Sequence, residues 1–226
     1  MKSNFIAYIA LVLVTILTGC EKDNYDPPTS ILSGRVVYDG QPVGVRSNGV
    51  QLELWQPGYD LFTKIPVHVA WDGTFSAALF DGNYKLVRLR GNGPWLDNGD
   101  TISVQVKGST MIDVPVVPHF VVKNDTYQKN ASAVTATFNL QQINAGSKLE
   151  RVNLYVGTTN IVDQNNNAGS AEIVASAITD FSQPITLTVN APASLVSKGY
   201  TFARIGVKTE GVAERLYSVP QQVSLK

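Results

Sequence analysis

The amino-acid sequence predicts an all-β protein, with two β-sandwich domains in tandem after a lipoprotein signal peptide. Short runs rich in Val, Ile, Thr and aromatic residues are separated by turn signals, and four Asp-Gly or Asn-Gly dipeptides fall between residues 39 and 82. Almost no stretch past residue 30 repeats its apolar residues with helical spacing. Pro115 and Pro118 end the first series of strand-like runs, and a second series follows them. We therefore expect domains at residues 30–118 and 119–226.

The start of the chain predicts an export signal. Lys2 precedes an apolar run of 13 residues, at positions 5–17, whereas a helix that spans a bilayer needs about 20. Such a run suits the hydrophobic region of a signal peptide. The sequence LTGC at residues 17–20 resembles a bacterial lipobox, in which the cysteine receives a diacylglycerol and the chain is cut before it. We expect residues 1–19 to be the signal peptide and Cys20 the lipidation site; the alternative is an ordinary signal peptide or an anchor helix.

The stretch that follows the cysteine predicts a solvated linker at residues 20–29. It contains Glu21, Asp23, Asp26 and two prolines, and such a composition cannot bury a core. It resembles the acidic stretch behind the lipidated cysteine of Bacteroidetes lipoproteins that are sent to the outer face of the outer membrane. The resemblance implies a lipid-anchored protein of the outer membrane that is exposed at the cell surface, and a tether in the periplasm is the alternative.

Composition excludes several classes of function. The chain has 18 Lys and Arg residues against 18 Asp and Glu residues, so no strong field would attract nucleic acid. Cys20 is the only cysteine, which rules out a disulfide framework and a cysteine-based metal site. The sequence also lacks the phosphate-binding Gly-Lys loop and the metalloprotease motif. We therefore expect no cofactor and no metal.

Seven strands are predicted in the first domain. They lie at residues 31–38, 50–55, 65–71, 74–79, 82–89, 101–107 and 110–116. The ordered motifs GRVVYD (34–39), QPV (41–43), VQLEL (50–54), DGTFS (72–76) and GNYKL (82–86) resemble a carboxypeptidase-regulatory-like, transthyretin-related sandwich. The stretch between Leu54 and Asp72 is longer than that pattern usually allows.

Seven further strands are predicted in the second domain, at residues 120–123, 133–140, 151–157, 171–177, 184–189, 200–208 and 214–223. The layout is similar to a fibronectin-III or immunoglobulin-like sandwich without cysteines. Together with the lipobox and the acidic linker, the two sandwiches resemble a Bacteroidetes lipoprotein family of unknown function. Its members tend to be encoded beside the outer-membrane transporter and starch-binding-type lipoprotein pairs of polysaccharide utilisation loci. This resemblance implies a role near glycan capture and does not indicate a chemical reaction.

The search for catalytic residues is largely empty, and we expect no enzymatic activity. Neither the nucleophile motif G-x-S-x-G nor S-x-x-K occurs, and the two histidines, His68 and His119, have no local partner for a catalytic triad. Asp72 and Asp81 each precede a turn glycine, and turn formation explains both. The loop DQNNNAG at residues 163–169 faintly resembles a calcium loop, but its glycine comes one place late, so a polar hairpin tip is the favoured interpretation.

Aromatic residues supply the candidate ligand site. All three tryptophans, Trp55, Trp71 and Trp95, lie in the first domain. Trp71 is in register with the buried positions of its strand and is expected in the core. Trp55, Tyr59 and Trp95 stand in or beside polar loops, where an exposed ring can stack on a sugar while neighbouring amides and carboxylates bind its hydroxyls. The alternative is that these rings anchor loops or contact the second domain.

The expected function is therefore non-catalytic. We expect a surface lipoprotein that binds glycan or acts as an accessory component of a polysaccharide uptake system. The alternatives are a docking module for an outer-membrane transporter and its partner lipoprotein, without a ligand of its own, or a glycoside hydrolase whose site cannot be seen in the sequence.

Overall fold

The structure, a computed structural model, describes residues 26–58 and 62–226. The predicted signal peptide, the lipidation site Cys20 and the candidate ligand residue Tyr59 lie outside the described residues. Within the described part of the chain, no helix is both long and apolar enough to cross a membrane. Each domain is a pair of β-sheets, so the predicted all-β fold with two sandwiches is confirmed.

The first domain packs two four-stranded sheets face to face. In one sheet, β1 lies between the parallel strand β8 and the antiparallel strand β5, and β2 pairs with the end of β1. The other sheet is antiparallel, in the order β4-β3-β6-β7. The strands are β1 (Ser30–Tyr38), β2 (Gln41–Pro42), β3 (Gln51–Trp55), β4 (Lys64–His68), β5 (Thr74–Leu79), β6 (Gly82–Arg88), β7 (Thr101–Val106) and β8 (Ser109–Pro115).

The second domain pairs a three-stranded sheet with a five-stranded one. The first has the order β13-β10-β9; the second has the order β12-β11-β14-β15, with β16 also paired to β14. The strands are β9 (Phe120–Asn130), β10 (Ala133–Gln142), β11 (Leu149–Gly157), β12 (Gly169–Val174), β13 (Ile185–Asn190), β14 (Tyr200–Thr209), β15 (Leu216–Tyr217) and β16 (Gln221–Ser224).

Alternating side chains build the cores. In β6, Tyr84, Leu86 and Arg88 are buried, while the residues between them are exposed or half-buried. The same two-residue period buries one face of β13. Each fully buried leucine contributes about 1.5–3 kcal/mol through the hydrophobic effect. Buried apolar residues of both domains form one continuous cluster, from Leu32 in β1 to Leu225 beyond β16.

Three short elements of the second domain differ from the prediction. The strand expected at residues 171–177 ends at Val174, and a 3-10 helix (Ala175–Ala177) follows it. A helix, α1 (Ala193–Lys198), follows β13, begins after Pro192 and ends at Gly199, whose φ of 78° suits glycine. The single strand predicted at residues 214–223 is divided into β15 and β16, because Pro220 has no N–H to donate to a ladder.

The strand registers give the first domain two distinct ends. At the linker end, Ser30 pairs with Leu79 and Ile31 N donates to Gly108 O at 3.0 Å. Gln56, which starts the β3–β4 loop, lies against Gly82 at the same end. The junction end contains the end of β1, the turn at residues 69–73 and the loop at residues 89–100. The second domain is joined at the junction end.

Candidate functional site

Backbone pairing joins the two domains. Gly44 and Tyr217 form an antiparallel bridge, in which Tyr217 N donates to Gly44 O at 2.9 Å. A β-carbon at Gly44 would lie 2.5 Å from the carbonyl oxygen of Tyr217 and 2.9 Å from Nη2 of Arg204. No side chain fits in that space, so the contact requires glycine at position 44.

A buried arginine holds the same junction. Arg204 of β14 is fully buried, and its Nε donates to Ser218 O at 2.8 Å. Its Nη2 donates across the junction to Trp71 O at 2.7 Å and to Val45 O at 3.2 Å. Burial lowers the pKa of Arg204 to about 10, so the guanidinium remains charged at neutral pH. The guanidinium of Arg204 therefore binds backbone carbonyl groups of both domains.

An ion pair closes the outer side of the junction. Arg46 Nη2 lies 2.6 Å from Glu214 Oε1, and the two side chains are 24% and 12% exposed. Glu214 is the largest contributor to the raised pKa of Arg46, through its hydrogen bond. Because this pair is partly shielded from water, it stabilises the junction more than a fully exposed pair would.

A cleft of about 460 Å³ opens where these contacts meet. The first domain contributes residues from β1, β2 and the turn before β5, and the second domain contributes the start of β9 and residues 216–220. Its lining includes the side chains of Trp71, Asp72, Lys123, Asn124, Asp125 and Arg204. We call this site the interdomain cleft.

Trp71 lines the cleft, and its expected place in the core is wrong. Strand β4 ends at His68, so the two-residue alternation that suggested burial stops before residue 71. Trp71 instead lies in the turn that leads to β5, half-buried, with its carbonyl oxygen bound by Arg204. The Arg204 Cζ atom lies 5.8 Å from the centroid of the Trp71 ring. The arginine thus fixes both the backbone and the surroundings of this aromatic side chain.

The charges of the cleft cancel. Its lining contains two carboxylates, Asp72 and Asp125, against the ammonium group of Lys123 and the guanidinium of Arg204. Asp72 Oδ1 accepts hydrogen bonds from the backbone N and the hydroxyl of Thr74, at 3.1 and 2.7 Å. Asp72 Oδ2 accepts none from the described residues. A polar ligand without net charge suits such a lining.

The proposed aromatic ligand platform is not assembled as the sequence suggested. Trp95 is 5% exposed, and it bridges to Pro118 at the junction end, so its expected exposure is wrong. Its ring covers the backbone of Gly93, which leaves no room for another side chain there, and Trp95 anchors its loop. Trp55 is half-buried on the outer face of β3, towards the linker end. Tyr59 is not among the described residues.

Trp55 has an aromatic partner that the sequence did not single out. Its ring centroid lies 4.9 Å from that of Phe62, with the two planes tilted by 39°. Phe62 is 54% exposed. The pair therefore forms an aromatic surface, far along the strands from the interdomain cleft.

Both histidines have structural surroundings. His68 is exposed at the end of β4. His119 is 8% exposed, and its Nδ1 lies 2.7 Å from Ser147 Oγ. Burial lowers the pKa of His119. Ser147 Oγ also accepts from Asn144 Nδ2 at 2.7 Å, so this group holds the loop of residues 143–147 against the junction. Among the described side chains, no carboxylate forms a hydrogen bond with His119.

The loop at residues 163–169 is closed on itself. Asp163 is 3% exposed, and its Oδ1 accepts from the backbone N of Asn165 and of Asn166 at 2.8 and 2.9 Å. This is the turn-forming role that the sequence favoured over a calcium site. Across residues 26–58 and 62–226, no group of three or more His, Cys, Asp or Glu side chains could hold a metal ion.

The sequence did not reveal the residues that build the junction. Arg204 lies between the apolar residues Ala203 and Ile205 of β14. In the sequence alone, this pattern is typical of an arginine that faces solvent. Its burial depends on the first domain, which is more than 80 positions away along the chain. The tight approach of Gly44 to Tyr217 is equally non-local, and no local pattern signals it.

Sequence comparison identifies both domains. The profile of the N-terminal domain of DUF3823, a protein of unknown function, matches residues 30–117. The profile of DUF3823_C, a domain of unknown function, matches residues 120–222. No curated protein sequence matches this chain.

Solved structures share the whole described fold. A DUF3823 family protein from Bacteroides ovatus ATCC 8483 is 38% identical, with a TM-score of 0.81, over 87% of this chain and 100% of that one. Another, from Parabacteroides merdae ATCC 43184, is 34% identical, with a TM-score of 0.79, over 88% and 100%. A protein from Bacteroides uniformis ATCC 8492, proposed to bind carbohydrate, is 21% identical, with a TM-score of 0.73, over 88% and 100%, and it shares the fold. The chain therefore belongs to the DUF3823 family.

Proposed function

We propose that this protein is a non-catalytic, lipid-anchored component of a glycan uptake system in the outer membrane, and that it binds a short neutral glycan segment in the interdomain cleft. The observation that carries the proposal is the cleft itself, where an aromatic ring, hydrogen-bonding side chains and balanced charges meet. Its volume of about 460 Å³ lies within the range of roughly 300–1,000 Å³ that is typical of small-molecule sites.

Trp71 is the stacking surface of this proposal. Its ring is half-buried and lines the cleft, so one face can pack against the C–H groups of a pyranose and exclude water from them. The backbone of Trp71 is held by Arg204 at 2.7 Å. A ring fixed before the ligand arrives loses little conformational freedom on binding, which favours affinity.

The polar lining supplies the partners for sugar hydroxyls. Asp72 Oδ2 accepts no hydrogen bond from the described residues, and a sugar hydroxyl can donate to it. Lys123 and Asn124, both exposed at the start of β9, can donate to ring and hydroxyl oxygens. Since the formal charges of the lining sum to zero, a neutral glycan is favoured over an anionic one.

Two further points support a glycan as the ligand. The Bacteroides uniformis protein that shares this fold is itself proposed to bind carbohydrate. Lipidation at Cys20, which remains an expectation from the lipobox, would concentrate the cleft at the membrane and raise the effective concentration of its glycan beside a transporter.

The test is affinity electrophoresis of residues 20–226 in native gels that contain a panel of neutral and acidic polysaccharides. We expect a neutral polysaccharide to retard the protein, and Trp71→Ala to abolish the retardation. Trp55→Ala is the matched control, because it removes a half-buried tryptophan outside the cleft, and retardation should persist. Retardation by no polysaccharide, together with co-purification of an outer-membrane transporter, would support the docking alternative. Release of reducing sugar would support the hydrolase.

A further inference from the structure

The linker end of the first domain exposes a group of large apolar side chains. Phe62 is 54% exposed, Phe80 48%, Met111 76% and Ile31 39%. All four lie in the connections at this end or within a few residues of it along their strands. Trp55 adds its half-buried ring through its contact with Phe62. We call these five residues the apolar rim. Trp55 belongs to one sheet, and Ile31 and Met111 belong to the other, so the apolar side chains surround this end of the sandwich and make it a candidate surface for contact with a partner or a membrane.

The chain enters the first domain at this same end. Residues 26–29 lead directly into Ser30, the first residue of β1. Ser30 Oγ donates to Asp81 Oδ1, and Gly108 N donates to the same oxygen at 3.0 Å. The start of the domain is thereby bound to the turn that carries Phe80 and to the β7–β8 turn. The position of the linker relative to the apolar rim is fixed by these contacts.

The tether length restricts what this end can contact. Nine residues, 21–29, separate Cys20 from Ser30, and a fully extended chain covers at most about 3.3–3.6 Å per residue. A lipid on Cys20 would therefore hold the linker end within about 30 Å of the bilayer. The interdomain cleft lies beyond the opposite end of β1, a strand of nine residues and about 30 Å.

Basic side chains surround the aromatic part of the rim. Lys64 and Lys85 pair across the sheet with Trp55 on its two sides, and Lys107 precedes the β7–β8 turn. Carboxylates balance part of this charge: Glu53 pairs with Lys64 at 2.6 Å, and Asp81, which accepts from Ser30 and Gly108, keeps its negative charge beside Lys107. Lys85 donates to the neutral hydroxyl of Ser103, so it keeps its charge for an anionic membrane surface, where one lysine contributes about 1 kcal/mol of attraction.

We propose that the apolar rim rests in the headgroup region of the bilayer to which the chain is tethered. Tryptophan and other aromatic rings favour this interface, where an apolar body meets polar headgroups. Lys85 would contact lipid phosphates, and the interdomain cleft would face away from the membrane. The proposal depends on the expected lipidation and not on glycan binding, so either can fail without the other.

The test uses the full lipidated chain, reconstituted into vesicles of phosphatidylethanolamine and phosphatidylglycerol with brominated acyl chains. Bromine quenches tryptophan fluorescence on contact. Trp55 is one of three tryptophans, and Trp71 and Trp95 lie at the junction end, so we expect about one third of the emission to be lost. Trp55→Phe should abolish the quenching.

A double substitution distinguishes membrane contact through the apolar rim from tethering by the lipid alone. Phe62→Ser with Phe80→Ser should reduce the quenching at least twofold, and both side chains are exposed enough for the fold to tolerate the change. Val219→Ser is the control, because Val219 is 67% exposed but lies at the cleft, and quenching should not change. Tethered protein without quenching, or a chain that does not associate with vesicles, would overturn the proposal. A rim that instead contacts a protein or a second copy would give the unquenched result.

Discussion

The guanidinium carbon of Arg204 lies 4.5 Å from the centroid of the Tyr217 ring. In the same position, Arg204 donates to the carbonyl oxygens of Trp71 and Val45 in the other domain. A cation over an aromatic face in a desolvated site is stabilised by about 2 kcal/mol, which offsets part of the cost of burying the charge. Arg204 therefore couples the packing of the second domain to the wall of the cleft.

Replacing Arg204 should weaken the whole junction. Arg204→Met removes the donor to the carbonyl oxygens of Ser218 and Val45, while Trp71 O keeps its hydrogen bond from Val45 N at 3.2 Å. Each buried unpaired acceptor costs about 1–3 kcal/mol. We expect the free energy of unfolding in urea to fall by about 3 kcal/mol. Arg204→Lys keeps the charge but reaches fewer acceptors, so its free energy of unfolding should lie between those of the unsubstituted chain and Arg204→Met. A loss below about 0.5 kcal/mol in Arg204→Met would show that the junction does not depend on this side chain.

Gly44 should tolerate no side chain. In Gly44→Ala, the new methyl group would lie 2.5 Å from the carbonyl oxygen of Tyr217, and such overpacking costs about 1–3 kcal/mol. Gly146→Ala is the matched control, because its β-carbon would meet nothing closer than 3.7 Å. Thermal unfolding should show a lower Tm for the first variant and little change for the second. Equal melting temperatures would contradict the close contact between the domains.

The Arg46–Glu214 ion pair should contribute measurably to stability. A double-mutant cycle with Arg46→Met and Glu214→Gln should give a coupling energy of about 1 kcal/mol, because both side chains are partly shielded. The atoms of the Arg35–Asp113 pair are 2.7 Å apart, against 2.6 Å for Arg46–Glu214, but its two side chains are 42% and 40% exposed. Its coupling energy should be near zero at physiological salt. Coupling energies that agree within error would contradict a role for shielding in the strength of the Arg46–Glu214 pair.

Acidification should destabilise the fold through His119. Burial lowers its pKa in the folded state, whereas an unfolded histidine titrates near 6.5. As the pH falls below about 6.5, the unfolded state binds the proton first, so the free energy of unfolding falls, by at most about 1.4 kcal/mol per pH unit. Carboxylates with lowered pKa values, such as Glu172, titrate at lower pH. Urea unfolding between pH 7 and 5.5 measures the slope.

His119→Asn isolates this effect. The Asn side chain can replace Nδ1 in the contact with Ser147 Oγ but does not titrate. The slope of stability against pH should therefore be reduced in the variant, while stability at pH 7.5 changes little. A slope that remains unchanged would assign the pH dependence to other groups.

Local patterns in the sequence predicted the fold well where burial is decided within one strand. The strand predicted at residues 82–89, which forms β6, and the Asp72-Gly73 turn with its glycine φ of 83°, depend on nearest neighbours and are visible in the sequence. The burial of Arg88 in β6 depends instead on the carbonyl oxygens of Pro115 and Asp100 and could not be predicted locally. The helix α1 has six residues, too few to establish a 3.6-residue period. Its end was marked only by Gly199.

The candidate site could not be predicted in the same way. Trp71 and Arg204 are in contact although 133 positions separate them in the sequence. The local sequence pattern around either residue therefore gives no information about the other. Trp95 stands in a loop rich in turn residues, GNGPWLDNG at positions 91–99, yet it is 5% exposed and forms a backbone bridge to Pro118. Whether an aromatic residue in a loop is exposed depends on segments that are distant along the chain, and a single strand pattern carries no information about them.

The central claim is that the interdomain cleft binds a neutral glycan, and a crystal structure of a complex tests it most directly. The chain should be crystallised with an oligosaccharide from the polysaccharide that retards it most. We predict a sugar ring stacked on Trp71, with a hydroxyl within hydrogen-bond distance of Asp72 Oδ2. A sugar bound beside Trp55, or anywhere outside the cleft, would contradict the account.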